Sequence, residues 1–223
     1  MDYQSRSGVG PPKKARARLI RLASSPPQWA LGFEDEPWWS RVAQPTLHTW
    51  TTAQPPLRFI EQTVPSTDPD PKALACYGLL VQERNTQGVC QDQGWLRFVT
   101  GRPVSALTIK FLTWVCTKLR ARDKTALLLV WDNASWHRSH AVRHWLRKHN
   151  QRVKRAHHGV RIVPCLLPLK SPWLNPVEPH WVHGKRAVVE PARLLTGREL
   201  VERVNAYFGC PHQEPLSIPQ EVS

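Results

Sequence analysis

Several features that mark other classes of protein are missing from this sequence. No apolar run approaches the roughly 18 residues that a membrane-spanning helix requires, so we expect no membrane partner. The first 30 residues contain no apolar segment of the kind found in secretory signals. The five cysteines are scattered and include no Cys-x-x-Cys pair, which argues against a zinc knuckle or a disulfide framework. This pattern predicts buried thiols in the reducing cytoplasm.

Acidic residues are scarce relative to basic ones. The chain has 31 Lys and Arg against 17 Asp and Glu, a formal net charge of +14. Most of this excess lies between Lys118 and Arg161, where there are 12 Lys or Arg and only two acids. A solvated helix face explains scattered charges but not this concentration. The distribution favours a surface that binds nucleic acid, with an affinity that falls as salt rises.

The composition divides the chain into three regions. Residues 1–28 are rich in Pro, Ser, Arg and Lys without sustained periodicity, which predicts a basic linker or arm. Residues 29–210 alternate segments of strand and helix character, which predicts an α/β domain with a mixed β-sheet flanked by helices. Residues 211–223 follow the helix stop expected at Gly209 and form a predicted C-terminal tail.

Hydrophobic periodicity predicts the order of the elements. The segments KALACYGLLVQE and GWLRFVTG flank a turn-like stretch and predict a β-hairpin. Helical periodicity marks SALTIKFLTWVCTKLRAR, SHAVRHWLRKHNQRV and TGRELVERVNAYFG, the last with a capping box between Thr196 and Glu199. The segment VRIVPCLLP predicts another buried strand.

Two acidic positions follow predicted buried strands. In LLLVWDNASWH an apolar run ends at Asp132, and in WALGFEDE a short strand, Trp29 to Phe33, runs into three acids that include Asp35. Either acid alone has an ordinary explanation as the first residue of a loop. Because ligands gather at the carboxyl ends of strands in such sheets, both are candidates for one shared site.

A third acid, Glu178, lies in SPWLNPVEPHW. Asn175 is a natural N-cap and Pro176 suits the first helical position, so Glu178 falls where a carboxylate stabilises a helix start. That structural explanation is complete by itself. The closely spaced prolines stiffen the approach to this carboxylate, which favours a metal-binding role in addition.

Three segments together resemble the catalytic motifs of a known enzyme family. The segments GFEDEPWW, LLLVWDNASWH and LPLKSPWLNPVEPHW resemble those of DDE-type transposases, in particular the bacterial insertion-sequence branch related to the mariner superfamily. The resemblance runs from about Trp29 to Gly209. The third motif matches at seven positions: Ser171, Pro172, Leu174, Asn175, Pro176, Glu178 and Trp181.

The resemblance implies a ribonuclease H-like fold and a set of catalytic residues. Carried over by position, the catalytic residues and metal ligands are Asp35, Asp132 and Glu178, which we call the acidic triad. The implied cofactor is a pair of Mg²⁺ ions, for which Mn²⁺ can substitute. Two such ions roughly 3.5–4 Å apart can activate a nucleophile and stabilise the leaving oxygen of a phosphodiester. The implied activity is cleavage at transposon ends and strand transfer into target DNA, by a homo-oligomer assembled on DNA in the nucleoid.

Further residues are expected to support this chemistry. Asn133 and His137 are candidates to orient Asp132 or a phosphate, although a structural hydrogen bond explains His137 equally well, and Asn175 belongs to the same supporting group. Predicted DNA contacts lie in the basic segment and two helical turns beyond Glu178: Arg143, Arg147, Lys148, Lys154, Arg155 and Lys185.

The sequence departs from the family pattern in two ways. The 45 residues between Asp132 and Glu178 exceed the usual spacing in mariner relatives, and the surplus is expected in a basic insertion at 148–161. Only 34 residues precede Asp35, whereas full-length members carry a helix-turn-helix module there. We therefore expect a catalytic half whose DNA-binding module is lost or separately encoded.

Two alternative functions remain open from the sequence. One is a catalytically silent DNA-binding remnant of a truncated transposase. The other is a different nuclease of the same fold, such as a resolvase, against which the Pro-rich third motif argues. A rival chemistry is a zinc site, for which His180 and His183 have a suitable spacing and His157 and His158 lie in the insertion. Three acids favour a harder cation than zinc.

Overall fold

The computed structural model describes residues 26–42, 63–84, 89–169, 171–190 and 193–218. Most of the predicted arm at 1–28 and part of the predicted hairpin turn lie outside these residues. Within them, no helix is both long enough and apolar enough to cross a membrane.

The predicted α/β architecture is confirmed: the described residues form a six-stranded mixed sheet and four α-helices. The strands are β1 (Trp29–Asp35), β2 (Trp38–Ser40), β3 (Ala73–Arg84), β4 (Cys90–Phe98), β5 (Ala126–Trp131) and β6 (Arg161–Leu166). The helices are α1 (Ser105–Arg120), α2 (His140–Ala156), α3 (Glu178–Val188) and α4 (Gly197–Tyr207), with a short 3₁₀ helix at Pro172–Leu174.

The sheet combines a parallel half with an antiparallel half. β1, β5 and β6 are parallel neighbours, so their carboxyl ends lie at one edge of the sheet. β3 pairs antiparallel with β1 and with β4, which confirms the predicted hairpin. β2 continues the pairing of β1 with β3 beyond Pro37, whose carbonyl accepts a hydrogen bond from the Cys76 amide.

Hydrophobic clusters cover both faces of the sheet. All six residues of β5 are buried, and from Leu127 to Trp131 they alternate between the two clusters as successive strand residues must. Leu127, Leu129 and Trp131 join the cluster that contains residues of α1 and α2. Leu128 and Val130 join the cluster that contains residues of α3 and α4. Burial on both faces explains the unbroken apolar run in the sequence.

The segment that follows β4 pairs with the segment that follows α4. Leu216 forms a parallel bridge with Val99 and is 7% exposed. The amide of Leu216 donates to the carbonyl of Phe98, and its carbonyl accepts from Thr100. Part of the segment predicted as a C-terminal tail therefore packs on the end of β4.

The predicted start of α3 was wrong by a few residues. The helix begins at Glu178 with Val177 at the N-cap and no side-chain cap. The side chain of Asn175 precedes this N-cap and bonds at both of its ends: Oδ1 accepts from the Val177 amide at 3.5 Å, and Nδ2 donates to the carbonyl of Glu34 at 2.9 Å. Pro179 lies in the first turn, where a backbone N–H has no partner within the helix, so it is well tolerated. The capping box of α4 is confirmed.

We predict that Gly78→Ala will destabilise the fold by about 1–3 kcal/mol or more. A Cβ atom at Gly78 would lie 2.4 Å from ring atoms of Trp181, a 3% exposed side chain that cannot easily move aside. Urea denaturation measures the loss. Gly94→Ala on the neighbouring strand is the matched control, since its Cβ would meet nothing closer than 3.6 Å. Equal stability of the two variants would contradict the packing argument.

Candidate metal centre

A pocket opens at the carboxyl edge of the parallel strands. It has a volume of about 380 Å³ and is lined by Asp35, Asp132, Asn133, Ala134, Leu167, Pro168, Leu169, Ser171, Asn175 and Glu178. The fold thus brings all members of the acidic triad, together with two of the three expected supporting residues, to one cavity. We call it the triad pocket.

Each acid of the triad reaches the pocket from a different element. Asp35 is the last residue of β1, Asp132 directly follows β5, and Glu178 is the first residue of α3. Successive strand residues point to opposite faces, so Glu34 and Glu36 lie on the other side of β1 from Asp35. The long separations in sequence are closed by the parallel pairing of β1 with β5 and by the docking of α3.

Negative charge accumulates in the triad pocket. Burial, reinforced by the charges of Glu178, Glu36 and Asp132, raises the pKa of Asp35 to about 7. Burial also raises the pKa of Glu178, with Lys185 opposing the shift and Asp132 adding to it. Three converging carboxylates resist ionising together unless a cation joins them.

The ligand atoms in the pocket are suited to a hard divalent cation. All three triad residues offer carboxylate oxygens, the donors that Mg²⁺ and Mn²⁺ prefer. Among the described residues, the triad does not place three donor atoms within 4.8 Å of one another.

The pKa of Asp132 is lowered, whereas those of Asp35 and Glu178 are raised. Burial alone raises its pKa, but hydrogen bonds from His137 and from the Ala134 amide, together with the charge of His137, lower it overall. The Ala134 N–H donates to Asp132 Oδ1 at 2.8 Å, and His137 Nδ1 lies 2.9 Å from the same oxygen. Asp132 is therefore held ionised and in a fixed orientation.

His137 connects Asp132 to two acids behind the pocket. It is 2% exposed and its ring stacks on Trp131 with centroids 4.4 Å apart. Its Nε2 atom lies 2.8 Å from Glu36 Oε1 and 3.2 Å from Glu34 Oε2. Burial alone lowers its pKa, but the surrounding Glu34, Asp132 and Glu36 raise it overall, so the imidazole is charged. Glu34, Glu36, Asp132 and His137 together are called the His137 network below.

Glu34 is the most constrained acid of the His137 network. It is 1% exposed, and burial, reinforced by the charge of Glu36, raises its pKa to about 8. The distance to His137 permits an ion pair, but neither oxygen of Glu34 has hydrogen-bond geometry to a described residue. Glu36, by contrast, also accepts a hydrogen bond from Trp136 Nε1 at 2.6 Å.

The His137 network also forms the one compact set of potential metal ligands among the described residues. Donor atoms of Glu34, Glu36 and His137 lie within 4.8 Å of one another. A charged His137 already supplies the positive charge and the proton between the two carboxylates, so this set acts as a buried ion pair. The sequence motif pointed to His137, whereas Glu34 and Glu36 as its partners were missed.

Two asparagines hold the backbone around the triad pocket. Asn133 donates to the carbonyl of Leu167, which links the segment after β5 to the segment after β6. Asn175 is 2% exposed and links the approach to α3 to the end of β1 through the Glu34 carbonyl. Both side chains fix the loops from which the triad projects.

The predicted DNA contacts lie outside the triad pocket, on exposed helix surfaces. They are Arg143, Arg147, Lys148, Lys154 and Arg155 on α2 and Lys185 on α3. The positive charge of Lys185 opposes the rise in the pKa of Glu178, so Lys185 acts electrostatically on the triad pocket. The histidines considered for zinc join no set of three clustered ligands in the described part of the chain.

Comparison with known proteins identifies the family. The sequence model described as DDE superfamily endonuclease matches residues 85–201, slightly more than half of the chain. The chain belongs to the DDE superfamily endonuclease family. The matched range contains Asp132 and Glu178, whereas Asp35 precedes it. The resemblance to DDE enzymes is thereby confirmed; membership of the bacterial insertion-sequence branch stays a prediction. No curated protein matches the sequence.

Solved structures share the fold of this DDE endonuclease. The Mos1 transposase paired-end complex with left transposon end has a TM-score of 0.56 at 15% identity, covering 90% of this chain and 54% of that chain. The Mos1 strand transfer complex has a TM-score of 0.53 at 15% identity, with 90% and 53% covered. The Mos1 mariner paired end complex with Mn has a TM-score of 0.53 at 16% identity, with 90% and 54% covered. The predicted ribonuclease H-like fold is confirmed.

These similarities define what the DDE endonuclease chain shares with Mos1. At 15–16% identity the structural similarity establishes the fold alone, and the chain spans about half the length of the Mos1 chains. DDE endonucleases use divalent metal ions, and the oxygen ligands of the triad pocket fit that chemistry.

Proposed function

We propose that the chain is the catalytic domain of a DNA transposase that cleaves phosphodiesters at transposon ends and joins the freed strand to target DNA. The observation that carries the proposal is the convergence of Asp35, Asp132 and Glu178 in one pocket at the carboxyl ends of β1 and β5. Membership of the DDE superfamily endonuclease family and the fold shared with Mos1 support it.

In this proposal the acidic triad would hold two Mg²⁺ ions, or Mn²⁺ in their place; Asp132 and Glu178 would each hold one ion, and Asp35 would help to hold both. When bound, the ions supply activation of the attacking water or 3′-hydroxyl and stabilise the leaving oxygen. His137 fixes the orientation of Asp132 through its 2.9 Å contact. Asn133 and Asn175 keep the surrounding loops in place, which limits the motion of the triad carboxylates when their charge changes.

The exposed basic residues of α2, and Lys185 on α3, serve in this proposal as contacts to DNA phosphates. The paired-end and strand transfer complexes of Mos1 support transposon ends and target DNA as partners. We further propose that the protein acts as a homo-oligomer on DNA and that its partner is a separately encoded helix-turn-helix half. The place of action is then the nucleoid.

The proposal is tested with supercoiled plasmid, which requires no knowledge of the transposon ends. The purified chain is expected to convert plasmid to the nicked form with Mg²⁺ or Mn²⁺ and to leave it intact in EDTA. Retention of DNA without metal-dependent nicking, also after fusion to a helix-turn-helix module, would instead support the silent DNA-binding remnant.

The raised pKa of Asp35 predicts that metal stabilises the protein more at high pH. The folded-state pKa is about 7 against an ordinary 3.8, so the metal-free fold loses stability as pH rises from about 4 through 7. Metal binding displaces the proton and relieves the repulsion. The rise in Tm caused by Mn²⁺ should therefore be larger at pH 8 than at pH 6. Asp35→Asn should lose most of that rise; an unchanged rise would contradict the assignment.

A further inference from the structure

A second charged surface lies at the sheet edge opposite the triad pocket. There α1 ends shortly before β5 begins, and α2 ends shortly before β6 begins, with Ala126 and Arg161 in register. A pocket of about 420 Å³ opens at this edge, lined by Arg120, Asp123, Lys124, Thr125, Val153, Lys154, His157, His158, Gly159 and Arg161. We call it the amino-edge cleft.

The amino-edge cleft is strongly basic and mostly uncompensated. Four of its lining residues are Lys or Arg, two are His, and Asp123 is the one acid. Arg120, Lys154 and Arg161 are exposed, and none of them forms an ion pair with another described residue. Lys124 has a structural role instead, because its Nζ donates to the Pro27 carbonyl at 2.8 Å.

The positive surface continues along α2. Beside the amino-edge cleft a shallow surface depression is lined by Lys148, Gln151, Arg152, Arg155 and Ala156, with three cations and no acid. Cations near a helix C-terminus stabilise its dipole, which explains Lys154 and Arg155 in the last turn of α2. That explanation does not extend to Lys148, Arg152 or Arg161.

The amino-edge cleft and the triad pocket lie at opposite ends of β5 and of α2. β5 has six residues, so its two ends are about 20 Å apart, and α2 spans about 25 Å between the same edges. Successive phosphates of a duplex strand advance 3.4 Å along the axis, so 20 Å corresponds to roughly six base pairs. Exposed Arg143 and Arg147 lie on α2 between the two places.

We propose that the amino-edge cleft binds the phosphate backbone of the same DNA duplex that is cut in the triad pocket, roughly six base pairs from the scissile phosphate. The inference rests on the proposed function for the identity of the duplex. The cleft contacts phosphates and no base edges, so it holds the duplex in register along α2 without reading its sequence.

The test removes three positive charges from the cleft. The cleft variant combines Arg120→Gln, Lys154→Gln and Arg161→Gln. Its affinity for a duplex of about 20 base pairs, measured by fluorescence anisotropy in EDTA, should fall at least about tenfold at 0.1 M salt. The slope of log K against log salt should shrink by about 2–3, since each lost phosphate contact removes about 0.9. Lys154→Gln alone should give about a third of that change.

A matched control carries the same charge change at other exposed positions: Lys72→Gln, Arg186→Gln and Arg198→Gln. The control should keep its affinity within about threefold. Wild-type protein should also gain affinity steeply as the duplex is lengthened past about six base pairs, and the cleft variant should not. Thermal denaturation establishes that all three proteins are equally folded.

Binding is measured without metal, so its outcome is independent of catalysis. An unchanged salt slope and length dependence in the cleft variant would overturn the proposal, whether or not the protein nicks plasmid. The proposal would also be overturned if the cleft variant lost affinity for heparin and for duplex equally and the affinity of the wild type did not depend on duplex length. The expected binding changes in a protein that never nicks DNA would support the cleft and refute the proposed function.

Discussion

Asp132→Asn is expected to abolish metal-dependent nicking, with a loss of at least about 10³-fold. Asparagine preserves the size of the side chain but removes the charge that a divalent ion needs. A bound metal contributes several kcal/mol of charge stabilisation to phosphodiester cleavage, and each 1.36 kcal/mol is a factor of ten in rate. Asp132 is also the triad member whose pKa is lowered, so it is ionised before metal arrives.

The matched control for this substitution is Asp92→Asn. Asp92 is an exposed carboxylate on β4 that accepts hydrogen bonds from Gln82, and asparagine can accept there too. Its nicking rate should stay within about twofold of wild type. Nicking is followed by gel electrophoresis of supercoiled plasmid with Mn²⁺ at pH 8. If Asp132→Asn keeps a rate within about threefold of wild type, Asp132 is not a metal ligand in the reaction.

His137→Ala is expected to destabilise the metal-free protein by about 3–5 kcal/mol at neutral pH. The substitution leaves Glu34 and Glu36 facing each other, 1% and 4% exposed at their side chains, without the cation that lies between them. Without that cation the folded state holds protons on these acids more tightly than the unfolded state does. The variant should therefore lose stability as pH rises, so its deficit should be smaller at pH 5 than at pH 8.

Urea denaturation at the two pH values measures this deficit. His144→Ala is the control, because His144 is an exposed histidine on α2 that stacks on His140. The double variant Glu34→Gln/His137→Ala should recover part of the stability lost at pH 8, since glutamine stays neutral at a buried position where Glu34 has to bind a proton or carry a charge. A deficit below about 1 kcal/mol for His137→Ala would show that the His137 network does not hold a charged pair.

Much of the candidate site could be predicted from local sequence alone. The apolar run of β5 is buried on both faces, and a polar residue directly after such a strand has to lie at a sheet edge. Asp35 follows the same logic at the end of β1. Parallel pairing then places both acids at one edge, which requires only the order of the elements. Glu178 needed more, because its helix-start position had a sufficient structural explanation.

Other features could not be predicted because they depend on distant partners. Glu36 and His137 are separated by 101 positions in the sequence, and only the pairing of β1 with β5 brings them together. The role of Asn175 at the approach to α3 was predicted, but its hydrogen bond to the carbonyl of Glu34 was not. Local sequence contains no signal for such long-range hydrogen bonds.

The basic segment shows the same limit on a larger scale. Its charge concentration was evident in the sequence, but its distribution over two edges of the sheet was not. α2 runs from the carboxyl edge to the amino edge, so residues at its two ends contact different places on a ligand. Topology, not composition, separates Arg143 in the first turn of α2 from Lys154 in the amino-edge cleft.

The most direct test of the metal centre is a crystal structure of the protein soaked in Mn²⁺, with anomalous difference maps. We expect two peaks in the triad pocket, one between Asp35 and Asp132 and one between Asp35 and Glu178. A map without density there, or with manganese only among Glu34, Glu36 and His137, would contradict the account.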